Sequence, residues 1–388
     1  MRDVAILSAV RTAIGRAPRG VFRNTRSEDL AALVAREAMK RAEVEPAGVE
    51  DLVLGCANPE AEQGLNTARQ IGFLAGLPDT TPAMTINRFC SSGLQATAIV
   101  ADRIAAGGID LGVSGGLESM SLVPMGGNKI ALNPAVVEQF PDAYIPMGNT
   151  AENVARKFNV SRGDQDAFAL ASHQKAVAAW GRGDFAAEVL PVKTRVFDGE
   201  RWRESTVDKD EGPRADTSLE KLAALKPVFD PTGTVTAGNS SPLNDGAAAV
   251  VLMAGDKAKE LGKKPRAYFR AFAVAGVPPE IMGIGPVPAV RKLLAKTGLK
   301  IDQIDLYEVN EAFASQAVYC VRELGLPVDR VNVNGGAIAL GHPLGATGAR
   351  QIATALHELE RRKGRYAVIT MCVGGGMGAA GLIELARA

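Results

Sequence analysis

Two cysteines and one histidine stand in sequence surroundings that favour chemistry over packing. Cys90 lies in segment 87–96, NRFCSSGLQA, where a predicted strand ends and a helix begins. A thiol there faces free backbone N–H groups and the positive end of the helix dipole, so we expect a lowered pKa and a nucleophilic thiolate. The same N–H groups could bind an oxyanion. The alternative is a buried cysteine packed as a small hydrophobe. The Ser-Ser-Gly that follows favours the nucleophile.

His342 lies in the glycine-rich segment 335–348, GGAIALGHPLGATG. Such a loop loses more conformational entropy on folding than packing alone would require. Holding an imidazole in place against a ligand accounts for that cost, although a lone histidine is more often structural. The other two histidines, His173 and His357, fall in ordinary amphipathic helices and are expected at the surface.

Cys372 opens the segment 372–378, CVGGGMG, directly after a predicted strand. A glycine run after a strand can indicate a phosphate loop, but no Gly-Lys-Ser/Thr follows, and no acidic residue stands at dinucleotide spacing. The other interpretation is a thiol at a strand end beside the N–H of Gly374. Two thiols and a histidine at glycine-lined turns suit acyl transfer followed by proton transfer. Asn310 also follows a predicted strand, and taken alone it is best explained as a helix cap.

Alternating elements must position these residues, and they predict an α/β protein. Strands are predicted at 4–7, 52–55, 83–87, 111–114, 306–309, 331–334, 367–371 and 381–384. Helices are predicted at 27–41, 91–106, 162–181, 312–323 and 345–362, the first with Ser27 as its N-cap.

The two ends of the chain resemble each other. Cys90 and His342 each stand three residues before a glycine, at the start of a helix that leads to a strand and a glycine run. Two copies of one unit facing each other would bring both helix starts to a shared cleft. Segment 118–237 is richer in charge and proline, and we interpret it as an inserted lobe.

Composition narrows the possible functions. At 388 residues the chain exceeds the size at which one core stops growing, so at least two packed units are expected. Lys plus Arg number 44 against 43 Asp plus Glu, which gives no electrostatic case for nucleic acid or an anionic membrane. Four cysteines without a CxxC pair argue against disulfides or a metal site and favour a reducing compartment. The N-terminus is interpreted as a strand, not a signal peptide; no apolar run suits a membrane span, and the C-terminus carries no peroxisomal tripeptide. We therefore expect a cytoplasmic protein.

Four segments together resemble the signatures of the thiolase family, in order and along nearly the whole chain. They are NRFCSSGLQA, NEAF at 310–313, GGAIALGHPLG and CVGGGMG. The resemblance implies an α/β thiolase fold of two similar βαβαβαββ halves in a five-layer αβαβα arrangement with an inserted loop domain. The halves would comprise 1–117 plus 238–265 and 266–388, and the loop domain, 118–237, would bind coenzyme A.

The resemblance also implies catalytic roles. Cys90 would attack the keto carbonyl of a 3-ketoacyl-CoA and hold the acyl group as a thioester. His342 would raise the thiolate population at Cys90 and donate to one oxyanion. Cys372 would protonate the departing acetyl-CoA carbanion, and Asn310 would orient a water in the first oxyanion hole. The N–H groups of Cys90 and Gly374 would form the second.

Coenzyme A would be a co-substrate, with no tightly bound cofactor and no metal. By local match to the family, Arg214 would contact its nucleotide phosphates, while Phe229, Ser241, Met147 and Phe313 would line the pantetheine tunnel. The family further implies a homodimer, with tetramers among relatives, and leaves open a hydratase/dehydrogenase partner.

Pro146 distinguishes branches of the family, because short-chain acetoacetyl-CoA thiolases commonly carry a histidine there. The chain looks more like the degradative 3-ketoacyl-CoA thiolases of fatty acid β-oxidation. The alternatives are a biosynthetic acetoacetyl-CoA thiolase and a thiolase-like acyl-CoA carrier with a dead site. A decarboxylating ketoacyl synthase is disfavoured, because it would be expected to show two active-site histidines and no second catalytic cysteine.

Overall fold

Helices and strands alternate along the computed structural model, which describes residues 1–197 and 199–387. The first half contains β1 Val4–Thr12, β2 Gly15–Arg16, α1 Ser27–Arg41, β3 Asp51–Gly55, α2 Thr67–Leu74, β4 Ala83–Ile86, α3 Ser92–Ala105 and β5 Leu111–Ser119. The inserted segment contains α4 Pro134–Gln139, α5 Met147–Lys157, α6 Arg162–Arg182, β6 Val189–Leu190, β7 Val192–Phe197, β8 Trp202–Val207 and α7 Leu219–Ala223. The chain continues with β9 Asn244–Ala254, α8 Gly255–Glu260, β10 Ala267–Gly276, α9 Pro286–Thr297, β11 Leu306–Val309, α10 Ala314–Leu324, α11 Ala337–Leu340, α12 Leu344–Arg362, β12 Tyr366–Val373 and β13 Met377–Leu385.

The strand order repeats itself across the molecule. One half runs β1-β9-β5-β3-β4 and the other β10-β13-β12-β11. Strands β5, β3 and β4 are parallel to one another in the first series, and β12 and β11 are parallel in the second. The two series join between β1 and β10 through the pairs Ala5–Tyr268 and Ile6–Ala267. The internal repeat predicted from the spacing of Cys90 and His342 is therefore confirmed.

Strand register relates the two halves residue by residue. Leu52 and Leu306 each follow an aspartate at the start of the matched strands β3 and β11. Leu52 pairs with Val113, and Leu306 pairs with Ala367. Counting forward from these pairs makes Glu118 on β5 the positional counterpart of Cys372 on β12.

The strand predicted at 331–334 is wrong. Only a single parallel bridge forms there, between Val331 and Tyr307. Asn332 has a φ of 44°, which takes the chain out of the extended conformation. Its side-chain amide bonds both the N–H and the carbonyl of Val309, each at 2.8 Å. A side chain thus occupies the backbone groups that a neighbouring strand would have paired.

Apolar clusters divide the fold into five layers, as the family resemblance implies. Helices α1 and α2 cover the outer face of the first half-sheet with residues such as Leu30 and Ile71. Helix α9 covers the outer face of the second half-sheet with residues such as Leu293, and α10 packs into the same cluster. Helices α3 and α12 fill the middle, where Leu94 and Ile352 pack between strands of both halves. Ser27 is the first residue of α1, not its N-cap, which is Arg26.

The starts of the two central helices meet at glycines. A Cβ on Gly93 of α3 would lie 2.7 Å from the carbonyl oxygen of Gly345 on α12. A Cβ on Gly345 would in turn lie 2.5 Å from the oxygen of Leu117. Both distances are shorter than real Cβ contacts, so only glycine allows this approach. The residues just before these two helices are Cys90 and His342.

A buried ionic cluster ties the inserted segment to the first strand. Arg11 on β1 lies 2.7 Å from Glu188 and 2.7 Å from Asp210, and all three side chains are fully buried.

The helix predicted at 162–181 is present as α6, capped by Ser161 and Asp164. In the described part of the chain, no helix is long and apolar enough to cross a membrane.

Candidate active site

Cys90 lies in a tight turn between β4 and α3. A 3₁₀ turn spans Phe89–Ser91, and Phe89 has a φ of 44°, an uncommon conformation for a bulky residue. The Phe89 N–H donates to Asn87 Oδ1 at 2.7 Å, and the Ser92 hydroxyl donates to the Phe89 carbonyl at 2.7 Å. Strained backbone of this kind clusters at active sites.

The predicted low pKa of Cys90 is wrong. Burial raises the pKa of this thiol to about 12, and the nearby Glu118 carboxylate adds to the increase. The backbone N–H groups of Gly374 and of Cys90 itself point at the sulphur and oppose it. The helix start therefore supplies donors, as expected, but desolvation outweighs them. Cys90 is a neutral thiol at rest, and the two N–H groups that converge on it could bind an oxyanion.

His342 is fixed in one orientation by its own loop. Its backbone N–H donates to Asn244 Oδ1 at 2.7 Å, and Gly341, with a φ of 110°, lets the chain turn there. The ring Nδ1 lies 2.6 Å from Thr347 Oγ1, whose hydroxyl donates to the Pro343 carbonyl at 3.0 Å. Thr347 therefore accepts a hydrogen bond from Nδ1–H, which leaves Nε2 unprotonated, as an acceptor.

His342 is neutral as well. Burial lowers its pKa to about 3, and the positive charge of Arg350 contributes. A neutral imidazole and a neutral thiol do not form a preformed ion pair; this arrangement suits a general base that would take the thiol proton as the sulphur attacks.

Asn310 and Cys372 lie at the ends of neighbouring strands. Asn310 is not a helix cap, because α10 begins at Ala314 with Phe313 as its N-cap. Its Nδ2 lies 3.2 Å from His342 Nε2, and its Oδ1, also buried, has no hydrogen-bond partner among the residues that the structure describes. Cys372 is fully buried, and its pKa is raised well above the ordinary value, first by burial and then by Cys90. A thiol that stays protonated suits a proton donor.

All five predicted coenzyme A contacts line one cavity of about 500 Å³, together with Cys90 and His342. They are Arg214, Phe229, Ser241, Met147 and Phe313. The rings of Phe229 and Phe313 meet edge to face, with centroids 6.0 Å apart. Ser241 is held by its N–H and hydroxyl, which donate to the Ala312 carbonyl at 3.0 and 3.1 Å.

Several residues of the cavity were not predicted from the sequence, because they lie in no recognised motif. Arg16, Met120 and Met125 also line it.

The surface prediction for His173 and His357 is wrong, since each is only 6% exposed. His173 Nδ1 accepts the backbone N–H of Arg214 at 3.2 Å, which links α6 to the cavity mouth. Histidines on helices of mixed polarity give no indication of such a contact.

Among residues 1–197 and 199–387 no group of His, Cys, Asp and Glu side chains is arranged to hold a metal ion. All four cysteines are free thiols.

Comparisons with known proteins agree with this architecture. Residues 4–256 match the family described as thiolase, N-terminal domain, and residues 263–385 match thiolase, C-terminal domain. The chain is 52% identical to a 3-ketoacyl-CoA thiolase of Bacillus subtilis over 390 residues, covering 99% of this chain and 100% of that protein. It is 49% identical to the peroxisomal 3-ketoacyl-CoA thiolase A of Mus musculus, covering 98% and 91% of the two chains.

A solved structure shares the whole fold. The crystal structure of the Bacillus anthracis acetyl-CoA acetyltransferase superposes with a TM-score of 0.91 at 43% identity, covering 100% of this chain and 99% of that one. The repeated strand order, the five layers and the matches to both family domains lead to one conclusion: the chain belongs to the thiolase family.

Proposed function

We propose that the chain is a 3-ketoacyl-CoA thiolase, an acyltransferase of fatty acid β-oxidation. It would transfer the acyl group of a 3-ketoacyl-CoA to coenzyme A through a thioester on Cys90 and release acetyl-CoA. The observation that carries this proposal is the Cys90 thiol, which lies under the N–H of Gly374 and in one cavity with the neutral imidazole of His342.

The first half-reaction cleaves a carbon–carbon bond. Cys90 gives its proton to His342 Nε2 as its sulphur bonds to the keto carbon. The bond between that carbon and the α-carbon then breaks, and its electrons form the enolate of acetyl-CoA. Cys372 protonates this carbon, and the amide of Asn310 and the N–H of Gly374 offer donors to the two developing oxyanions.

The second half-reaction restores the enzyme. The thiol of coenzyme A gives its proton to the Cys372 thiolate and attacks the thioester. The Cys90 sulphur leaves and recovers its proton from His342. Both steps are reversible Claisen chemistry, so the same residues serve thiolysis and condensation.

A biosynthetic acetoacetyl-CoA thiolase is the second candidate, favoured by the likeness to an acetyl-CoA acetyltransferase structure. Pro146 and the 52% identity to a 3-ketoacyl-CoA thiolase favour the first. The test compares the specificity constants for thiolysis of acetoacetyl-CoA and 3-ketohexadecanoyl-CoA. A long substrate at least as good as the short one supports the degradative branch. Cleavage of acetoacetyl-CoA alone would reject it.

Coenzyme A is proposed as a co-substrate, with no tightly bound cofactor. Arg214 lies exposed at the cavity mouth beside Arg16, where the two cations suit phosphate groups. Three of the five predicted contacts, Met147, Arg214 and Phe229, come from segment 118–237, which supports its assignment as the loop domain. We propose the halves 1–117 plus 238–265 and 266–388 around it; β5 itself continues to Ser119.

A homodimer is proposed through the edge of the first half-sheet. Strand β4 ends the sheet, and large apolar side chains near it are exposed: Leu65 at 90% and Phe73 at 54%. An unpaired edge beside apolar surface is typical of an interface. A tetramer and a complex with a hydratase/dehydrogenase are the alternatives to this homodimer. Light scattering would measure the mass in solution, and a monomer would reject the dimer.

A cytoplasmic location is also proposed. The four free thiols support a reducing compartment of this kind.

A further inference from the structure

Glu118 is a fully buried carboxylate that accepts hydrogen bonds from several N–H groups. The backbone N–H groups of Ala57 and Gly345 each donate to its Oε2 at 2.8 Å. Its Oε1 accepts from the Asn58 N–H at 3.2 Å and from Gln63 Nε2 at 2.9 Å. A protonated carboxyl would direct an O–H at one of these donors. The site therefore favours the ionised form, although burial raises the pKa of Glu118.

These bonds join three elements at the point where the reaction takes place. Ala57 and Asn58 follow the end of β3, Glu118 itself lies near the end of β5, and Gly345 is the second residue of α12. A carboxylate there caps the N-terminus of α12 and interacts favourably with its dipole. His342 lies three residues before Gly345 in the same turn, so the position of its loop depends on this anchor.

The two halves carry different residues at the position of Glu118. Glu118 on β5 is the counterpart of Cys372 on β12. The end of β12 thus carries a thiol that can gain or lose a proton, whereas the end of β5 carries an ionised carboxylate. The titratable groups near Cys90 are this carboxylate, Cys372 from β12 and His342 from the loop before α12. The Cys56 thiol also faces the carboxylate, with its Sγ 3.8 Å from Oε1.

We propose that Glu118 is a positioning residue for the Cys90–His342 pair: its carboxylate anchors the start of α12 to both strand ends, and its charge resists a second negative charge on the Cys90 sulphur. The resting thiol then loses its proton only as a carbonyl arrives to take up the charge. The inference rests on the proposed role of Cys90 as nucleophile.

The experiment separates charge from anchoring. Glu118→Gln keeps the length of the side chain and removes the charge, whereas Glu118→Asp keeps the charge and shortens the reach. Alkylation of Cys90 by iodoacetamide is followed against pH by peptide mass spectrometry without substrate, and kcat and KM are measured separately. Asp51→Asn is the matched control, a buried carboxylate at the far end of β3 that bonds Arg103.

We expect Glu118→Gln to move the alkylation inflection down by about one pH unit, which is roughly a tenfold faster reaction at a fixed lower pH. Glu118→Asp should keep the wild-type inflection but lose at least about tenfold in kcat with little change in KM, as misplacement of catalytic groups does. Asp51→Asn should change neither the inflection nor kcat. An unmoved inflection in folded Glu118→Gln overturns the charge effect, and full kcat in Glu118→Asp overturns the anchor.

A second variant keeps the test decisive if Glu118→Gln does not fold. The double change Gln63→Glu with Glu118→Gln retains a bond between the two side chains and the total charge, but moves the charge from position 118, the carboxylate that acts on Cys90, to position 63. The inflection should again fall, and no shift would overturn the proposal. Because alkylation needs no turnover, a wild-type chain without thiolase activity would refute the proposed function alone.

Discussion

Thr347 Oγ1 lies 2.6 Å from His342 Nδ1, and this contact decides which nitrogen of the imidazole is the base. Because the Thr347 hydroxyl proton is given to the Pro343 carbonyl, the ring must carry its own proton on Nδ1. Nε2 is then the unprotonated nitrogen, which accepts from Asn310 Nδ2 at 3.2 Å and would take the Cys90 proton in the proposed reaction.

Replacing Thr347 with valine should lower kcat about tenfold and leave KM for the acyl substrate almost unchanged. Valine fills the same space but accepts no hydrogen bond, so the ring can adopt either tautomer or turn. Steady-state thiolysis measures the effect. Thr354→Val is the control, since it also lies buried on α12 but bonds Glu188. Equal losses in both variants would mean that only helix packing was disturbed.

Cys372→Ala should still form the acyl-enzyme but block carbon–carbon bond formation. The Cys90 thiol and its N–H donors remain, while the proton donor and acceptor at the α-carbon is lost. Mass spectrometry after incubation with acetyl-CoA should detect an acetyl group on the Cys90 peptide, and condensation should fall by at least about a hundredfold, the low end for general acid–base catalysis. Cys90→Ala should abolish both. Normal condensation in Cys372→Ala would contradict its role.

Arg214→Ala should raise the KM for coenzyme A roughly tenfold with little change in kcat, because an exposed charge-assisted contact to phosphate is worth about 1.5 kcal/mol. Arg291→Ala serves for comparison, since this exposed arginine pairs with Glu323 and lies outside the cavity. The rate of thiolysis as a function of coenzyme A concentration provides the measurement. An unchanged KM would remove Arg214 from the site.

His173 should make the protein less stable in acid. Burial and the charge of Arg214 lower its pKa to about 4, whereas an unfolded histidine titrates near 6.5. Its contribution is therefore complete above about pH 6.5 and is lost as the pH falls towards 4, because only the unfolded state takes up the proton. His173→Gln keeps an acceptor for the Arg214 N–H but does not titrate. Urea unfolding should show the wild type losing about 1 to 3 kcal/mol relative to the variant between pH 7 and pH 4. A constant difference across this range would exclude the effect.

Arg11→Met should destabilise the fold by about 3 to 5 kcal/mol, because it leaves the Glu188 and Asp210 carboxylates buried without a counter-charge. Lys257→Met removes an exposed ion pair with Glu260 and should cost less than about 1 kcal/mol. Chemical denaturation of both variants compares them directly. If Arg11→Met were as mild as Lys257→Met, the cluster would not hold the inserted segment.

Helix α1 and strand β11 have the predicted bounds. The apolar residues of α1 follow the helical period, and β11 is a short, largely apolar run that ends before Asn310. Strand β9 was not predicted, because its run of alanines and valines is buried on both faces and shows no alternation. The strand at 331–334 was predicted wrongly, because nothing in the sequence shows that the Asn332 side chain would take the place of backbone pairing.

The candidate site residues were easier to predict than their protonation states. The resemblance to the thiolase signatures predicted that Cys90, His342, Cys372 and Asn310 belong to one site. The pKa of Cys90 depends on how completely the turn is desolvated and on Glu118, which is distant in sequence, and neither is visible in a local motif. A carboxylate that influences Cys90 only in the folded structure, as we propose for Glu118, leaves no recognisable pattern in the sequence around that cysteine.

The glycine contact between the two central helices has a geometric consequence for catalysis. Gly93 and Gly345 let α3 and α12 touch through their backbones, and the residues ahead of each helix carry the thiol and the imidazole. The distance between the Cys90 thiol and the His342 imidazole therefore depends on both glycines lacking a Cβ atom. Any side chain at either glycine would act as a spacer that pushes the nucleophile and its base apart, without altering a single catalytic atom.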